Sequence, residues 1–169
     1  MSTILTVLQS AEIPQLLDYE NRKLAEHLTD EVEQAITSWN SRWRPESLEY
    51  YIPLGWSFVA RDKDVRNSSS SSSSSGGGGD GETGPIVGYF IAQPLLFFDG
   101  QSQSLWIEHL QFSSLMVRDE LCDLAYRLAR EKHFQRVYYP KFSTVMNSIK
   151  QIGAHDWSPS VAVVKSTRG

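Results

Sequence analysis

The sequence has little cysteine, little histidine and no excess of positive charge. Cys122 is its only cysteine, which excludes an internal disulfide and a multi-cysteine zinc site. The four histidines are not spaced as metal ligands, so we predict no metal centre. With 16 basic against 20 acidic residues the net charge is -4, which argues against nucleic acid as a partner. Apolar runs such as 95–98 are far too short to span a membrane.

The length of 169 residues is that of one ordinary domain, and we predict a single domain over 1–169. Hydrophobic residues make up 40% of the chain, which is enough for a sizeable core. Residues 1–9 lack the basic and apolar segments of a secretion signal, so we expect a cytoplasmic protein. The oligomeric state stays open at this point.

Hydrophobic periodicity predicts a chain that alternates between strands and helices. Strands are expected at 4–8, 56–61, 86–93, 104–112, 136–139, 155–157 and 161–165. Helices are expected at 11–28, 30–44, 46–52, 117–134 and 143–152, with Ser10 and Thr29 as N-caps of the first two. Short hairpins favour antiparallel pairing and an intervening helix favours parallel pairing, so we predict a mixed, mostly antiparallel central sheet with flanking helices.

Residues 67–84 interrupt the hairpin between the second and third strands. They contain an unbroken run of eight serines followed by four glycines. Such a segment has almost no side chains to bury and is expected to behave as a flexible coil. Because loop-closure entropy grows only logarithmically with length, this insertion is predicted to cost the fold little.

The element order and several segments resemble the GNAT family of acyl-CoA-dependent N-acyltransferases. The matching segments are 58–61 with 85–90, 106–110, 129–138 and 149–154. The resemblance implies an α/β fold in which acetyl-CoA or another acyl-CoA binds between splayed strands. It also implies acyl transfer to a small-molecule or peptide amine acceptor.

The cofactor loop departs from the family pattern Q/R-x-x-G-x-G/A, whose backbone N–H groups hold the pyrophosphate at a helix start. The corresponding stretch, 111–118, contains no glycine in either possible register. Asp119 and Glu120 also place negative charge in the first helical turn, where a phosphate would be repelled. By resemblance, the residues expected to contact the cofactor are Leu110, Gln111, Phe112, Ser113, Ser114 and Arg118.

The chemistry of the resembling enzymes needs an acid and a base. The tyrosine that usually protonates the leaving thiolate is replaced here by Ile149, and Tyr138 or Tyr139 would have to substitute for it. The base that accepts the acceptor's proton is predicted to be Glu108 or His109 on the fourth strand, with a structural hydrogen bond or salt bridge as the alternative role. Strict alternation would place Glu108 on the face of Trp106 and Leu110, and His109 on the opposite face.

Two interpretations follow. The first is an N-acyltransferase with a divergent cofactor loop, and the second is a catalytically inert GNAT-like binding or interaction module. Five aromatic residues are candidates for an acceptor groove under either interpretation, with packing onto the sheet as the alternative use: Trp39, Trp43, Tyr50, Tyr51 and Trp56. Cys122 lies in a helical apolar stripe and is predicted to be a core residue.

Overall fold

The computed structural model describes residues 3–63, 84–96, 103–158 and 161–166. Its strands are β1 (Thr3–Val7), β2 (Phe58–Asp62), β3 (Ile86–Leu96), β4 (Gln103–Phe112), β5 (Arg136–Pro140), β6 (His155–Ser158) and β7 (Val161–Lys165). Its α-helices are α1 (Ile13–His27), α2 (Glu31–Trp39), α3 (Pro45–Tyr51), α4 (Leu115–Glu131) and α5 (Ser143–Ile149). Short 3₁₀ turns precede α1 and follow α3 and α5.

All seven strands form one sheet in the order β1-β2-β3-β4-β5-β7-β6. Every neighbouring pair is antiparallel except β4 and β5, which run parallel because α4 carries the chain back between them. The predicted mixed, mostly antiparallel sheet with flanking helices is therefore confirmed.

The sheet separates two hydrophobic cores. On one face α4 and α5 cover β3, β4, β5 and β7, and the buried residues there include Leu105, Ile107, Leu110 and Leu121. On the other face α1 and α3 cover β2 and β3 through Leu16, Leu48 and Tyr89. A smaller cluster of Tyr138, Val161 and Val163 lies on this second face, toward the β6 edge.

Gly88 on β3 lets α4 approach the sheet closely. A Cβ atom at this position would lie 2.7 Å from Val117 Cγ1 and 2.9 Å from the carbonyl oxygen of Gln111. Neither neighbour has room to move, since Val117 is buried and Gln111 belongs to β4. The glycine therefore fixes the distance between β3 and the first turn of α4.

Helix starts differ from the sequence prediction by a few residues. Asp30, rather than Thr29, caps α2, and its Oδ1 accepts from the backbone N–H groups of Val32 and Glu33 at 2.8 and 3.0 Å. At the first helical segment, the Gln9 backbone N–H donates to Glu12 Oε2 at 2.8 Å, so the helical turn starts at Ser10 rather than after it. Residues 67–83 of the predicted coil lie outside the described residues.

No helix in the described part of the chain is long and apolar enough to cross a membrane. Within the same residues, no group of three or more His, Cys, Asp or Glu side chains is placed to hold a metal ion.

Candidate functional site

The parallel pairing of β4 with β5 is short. It comprises the pairs Ser104–Arg136, Leu105–Val137 and Trp106–Tyr138, and it ends there. Beyond Trp106, β4 continues to Phe112 beside β3, while β5 continues beside β7. The two strands therefore separate after Trp106. The backbone groups of β4 that point toward β5 lie at an opening in the middle of the sheet.

A β-bulge on β4 lies at this opening. Ile91 of β3 pairs with His109 and Ala92 pairs with Ile107, so Glu108 is the extra residue on β4. The bulge resets the alternation: Leu105, Ile107 and Leu110 all enter the core under α4. The prediction that Glu108 shares a face with Leu110 and opposes His109 is therefore wrong. Both acid–base candidates project toward the face covered by α1 and α3.

Glu108 is held by three neighbours. Arg42, between α2 and α3, donates from Nη1 to Glu108 Oε1 at 2.7 Å, and Trp106 Nε1 donates to Oε2 at 2.9 Å. The third neighbour is Tyr51. Burial raises the pKa of its hydroxyl, and the negative charge of Glu108 raises it further. The Glu108 side chain is only 10% exposed, whereas that of Arg42 is 72% exposed. The carboxylate is thus fixed, and its cationic partner lies on the solvent side.

His109 belongs to a separate buried network. Its Nε2 lies 3.0 Å from Glu20 Oε1, and the same oxygen accepts from the Tyr89 hydroxyl at 2.5 Å. Glu20 is 2% exposed on α1. Burial, with the charge of Glu20 adding to it, raises the pKa of Tyr89 well above its ordinary value. Because a carboxylate can only accept, Nε2 is the donor in this contact, and Nδ1 is the nitrogen of the ring that Glu20 leaves uncontacted.

Of the five predicted aromatic residues, Tyr51 lies beside Glu108, whereas the aromatic cluster that extends from this carboxylate is made of other rings. Trp56 packs on Phe134 on the opposite face of the sheet, and Trp39 is 76% exposed on α2. Instead, Trp106 stacks on Tyr138 with ring centroids 5.5 Å apart, and Trp157 meets Tyr138 edge-on at 5.0 Å. These rings extend from the Glu108 carboxylate toward β6.

The predicted cofactor contacts lie around the β4–α4 junction, but they are largely engaged within the protein. Leu110 is buried beside Phe90 of β3, and Gln111 Oε1 accepts from the Phe112 N–H at 3.2 Å. The exposed Ser113 precedes Ser114, which caps α4 by accepting from the Val117 N–H at 3.3 Å. Arg118 donates to Asp119 and, at 2.8 Å, to the Thr144 carbonyl oxygen.

A cavity of about 330 Å³ lies between α4 and α5. Arg118, Asp119, Cys122 and Asp123 are on its α4 side, and its α5 side includes Ile149. Burial raises the pKa of the Cys122 thiol to about 12, so this thiol is inert at neutral pH, as its place in the apolar stripe predicted. Two carboxylates line this cavity, and its guanidinium is already paired with one of them. The cavity therefore has little attraction for phosphate.

Neither tyrosine proposed as a substitute acid is available at the opening. Tyr139 is buried under α4, where its hydroxyl donates to the Cys122 carbonyl oxygen at 2.9 Å. Burial raises its pKa well above the ordinary value. Tyr138 is 1% exposed within the aromatic cluster. Both tyrosines are therefore packing residues rather than proton donors at the opening.

Three residues of this site were not singled out from the sequence: Glu20, Arg42 and Trp157. Only Glu20 has a local signal, because it lies four residues after Leu16 and therefore occupies the apolar stripe of α1. A carboxylate at such a position needs a buried partner. Arg42 and Trp157 reach the site through the tertiary arrangement alone.

No family model and no curated protein sequence matches this chain. Solved structures do. Arylalkylamine N-acetyltransferase 2 from Aedes aegypti has a TM-score of 0.62 and 8% identity, over 99% of this chain and 100% of that one. PaiA N-acetyltransferase from Thermoplasma acidophilum, in complex with coenzyme A, has a TM-score of 0.58 and 13% identity over 98% and 99%. Polyamine N-acetyltransferase from Drosophila melanogaster has a TM-score of 0.57 and 12% identity over 96% and 97%.

These likenesses extend over nearly the whole length of both chains in each comparison. The fold is therefore that of the GNAT acetyltransferases, as the sequence resemblance implied. Fold alone does not determine activity, which depends on the side chains at the site.

Proposed function

We propose that this protein is an acyl-CoA-dependent N-acyltransferase that acts on a small amine. The observation that carries the proposal is the placement of Glu108. It lies at a bulge directly after β4 and β5 stop pairing, and its carboxylate is fixed by Trp106 on the face that β4 turns toward α3. A fixed carboxylate beside an opening in the sheet suits proton removal from an acceptor amine.

The opening and the α4 N-terminus differ in how well they fit coenzyme A. The unpaired β4 edge beyond Trp106 offers backbone groups to the linear arm of the cofactor, so this part fits. The start of α4 does not fit the diphosphate, because Ser114 already caps the helix and Asp119 already occupies Arg118. We therefore expect acyl-CoA to bind mainly along β4, and weakly. When bound, it would supply the activated acyl group as a thioester.

The side chains of this chain would act on the acceptor. An ammonium group must lose a proton before its nitrogen can attack a carbonyl carbon, and Glu108 would accept that proton. His109 is the second candidate, with Nδ1 as the acceptor because Glu20 holds Nε2. Structures of similar fold carry names that refer to arylalkylamines, polyamines and agmatine. Those names support a small-molecule amine rather than a peptide as the acceptor.

A catalytically inert binding module is the second candidate function. The engaged α4 N-terminus favours it, and so does Ile149, which is fully buried and has no proton to give to a leaving thiolate. Glu120 Oε2 is buried near the start of α4 and has no hydrogen-bond partner among the described residues, and its charge also opposes an incoming phosphate. Under this proposal the opening would bind a ligand without turnover.

Thiol release from acetyl-CoA, measured with a panel of arylalkylamines and polyamines, separates the two candidates. Release that depends on the amine supports the acyltransferase, and neutral alcohols of the same shape serve as the control. No release with any amine, together with no thermal shift at millimolar acetyl-CoA, would support the inert module. For comparison, a ligand at a hundredfold over its dissociation constant adds about 2.7 kcal/mol of stability.

A further inference from the structure

A second cavity lies on the sheet itself, away from α4 and α5. It has a volume of about 310 Å³ and is lined by Arg136, Tyr138, His155, Trp157, Val163 and Lys165. We call it the sheet-face cavity. Tyr138 and Val163 form its floor, since both belong to the small cluster on the face opposite α4. Its volume is at the lower end of the range for small-molecule sites, about 300–1000 Å³.

The charges around this cavity are unbalanced. Arg136 on β5 and Lys165 on β7 are register partners, directly opposite each other on antiparallel strands. Like charges in that arrangement destabilise a sheet. In the described part of the chain, neither side chain makes a salt bridge or a hydrogen bond with any residue.

The chain has acids that could have balanced this pair, because acidic residues outnumber basic ones by 20 to 16. Asp156, on the neighbouring strand β6, instead pairs with Lys141 at 2.7 Å. Among the residues that the structure describes, no carboxylate lines the cavity, and a third basic side chain, His155, lies beside the two cations. A local excess of positive charge in an acidic protein is a feature that an anionic ligand would neutralise.

The cavity also has an aromatic wall. Trp157 is 50% exposed, and its ring meets Tyr138 edge-on at 5.0 Å. Trp106 stacks on Tyr138 and also meets Trp157 edge-on at 6.0 Å, so the three rings support one another. A partly exposed indole beside two cations suits a ligand with a flat apolar body and a negative group at one end.

We propose that the sheet-face cavity binds a small anionic aromatic ligand, with its carboxylate or phosphate between Arg136 and Lys165 and its flat body against Trp157. The site shares the Tyr138 and Trp157 rings with the surroundings of Glu108 but takes its cations from β5 and β7, and the proposal does not depend on acyl transfer. Carboxylate and phosphate share the property that the site requires. Each is an anion that can accept hydrogen bonds from both cations.

The test uses the full chain and follows the indole N–H signal of Trp157 by NMR, assigned with Trp157→Phe. Phenyl phosphate and benzoate are the probes, and they distinguish the two kinds of anion. Benzyl alcohol lacks the charge, and inorganic phosphate lacks the flat body. We expect saturable shifts with at least one aromatic anion, no shift with benzyl alcohol, and binding of inorganic phosphate weaker by roughly tenfold or more.

Lys165→Glu provides the decisive variant, because it replaces the repulsion across β5 and β7 with attraction. It should weaken probe binding by at least roughly tenfold and at the same time raise the melting temperature. Lys165→Gln should weaken binding without adding the attraction, and Lys63→Glu, at an exposed residue after β2, is the matched charge control. Absence of saturable shifts with both aromatic anions at millimolar concentration, or equal affinity in wild type and both Lys165 variants, overturns the proposal.

Discussion

The Glu20 carboxylate lies 3.0 Å from Nε2 of His109, although 89 residues separate them in the sequence. This contact ties α1 to β4 across the core on that face of the sheet. The same carboxylate oxygen accepts from the Tyr89 hydroxyl on β3. One buried side chain of α1 therefore holds two strands at the position where the site is formed.

Loss of the Glu20 carboxylate is predicted to destabilise the protein. Glu20→Ala would leave the buried Tyr89 hydroxyl without an acceptor, which costs about 1–3 kcal/mol. At roughly 2–4 °C per kcal/mol for a domain of this size, thermal melts should detect the loss. Glu26→Ala on the same helix is the matched control, because Glu26 is exposed and its ion-pair partner on the surface, Lys23, belongs to the same helix. Equal losses in the two variants would contradict a special role for Glu20.

Stability is predicted to fall at alkaline pH. Burial raises the pKa values of Tyr19, Tyr89, Tyr139 and Cys122 in the folded state. Below the unfolded pKa values each group keeps its proton in both states, so its contribution is complete. As the pH rises above them, the unfolded chain loses protons that the folded chain retains, which favours unfolding. Each group then removes about 1.4 kcal/mol per pH unit at most.

Denaturant unfolding at several pH values between neutral and strongly alkaline checks this prediction. Tyr139→Phe removes one of the four groups and should make the loss of stability with pH less steep. It should also lower stability at neutral pH, because the hydrogen bond to the Cys122 carbonyl is lost. The same slope in wild type and variant would exclude Tyr139 as a contributor.

The sequence predicted the element order well, because prolines, glycines and apolar periodicity mark where strands and helices end. The predicted strand 161–165 has the same first and last residues as β7, and the predicted start of β4 differs from the observed start by one residue. The bulge at Glu108 was not predictable, since one inserted residue leaves no mark in an alternating pattern. That single shift explains why the two acid–base candidates were assigned to opposite faces.

The candidate site was predicted less completely than the fold. Glu108 and His109 were identified from their strand, but their partners come from α1 and from the connection after α2. Glu108 and Arg42 are 66 residues apart, and nothing local links them. Trp157 joins Trp106 only because β6 returns to the outer edge of the sheet beside β7. Such contacts depend on topology, which periodicity does not encode.

Arg42 is predicted to compete with a cationic acceptor for Glu108. Its guanidinium is mostly exposed, and such ion pairs contribute only about 0–1 kcal/mol. Arg42→Ala should therefore lower the KM of a cationic amine by up to about fivefold. Arg44→Ala, two residues further along the chain, is the matched control. An increase in KM with Arg42→Ala would instead make Arg42 part of the acceptor site.

Glu108 is predicted to be the catalytic base in steady-state measurements of thiol release. General-base catalysis is typically worth about 10²–10⁴-fold, so Glu108→Gln should lower kcat by that much. The amide can still accept from Trp106 Nε1, which keeps the local geometry close to that of the wild type. The KM for acyl-CoA should hardly change, because the cofactor is expected to meet β4 through backbone groups. His109→Gln is the parallel variant, and a larger loss of kcat in it than in Glu108→Gln would transfer the role of base to His109 and its partner Glu20.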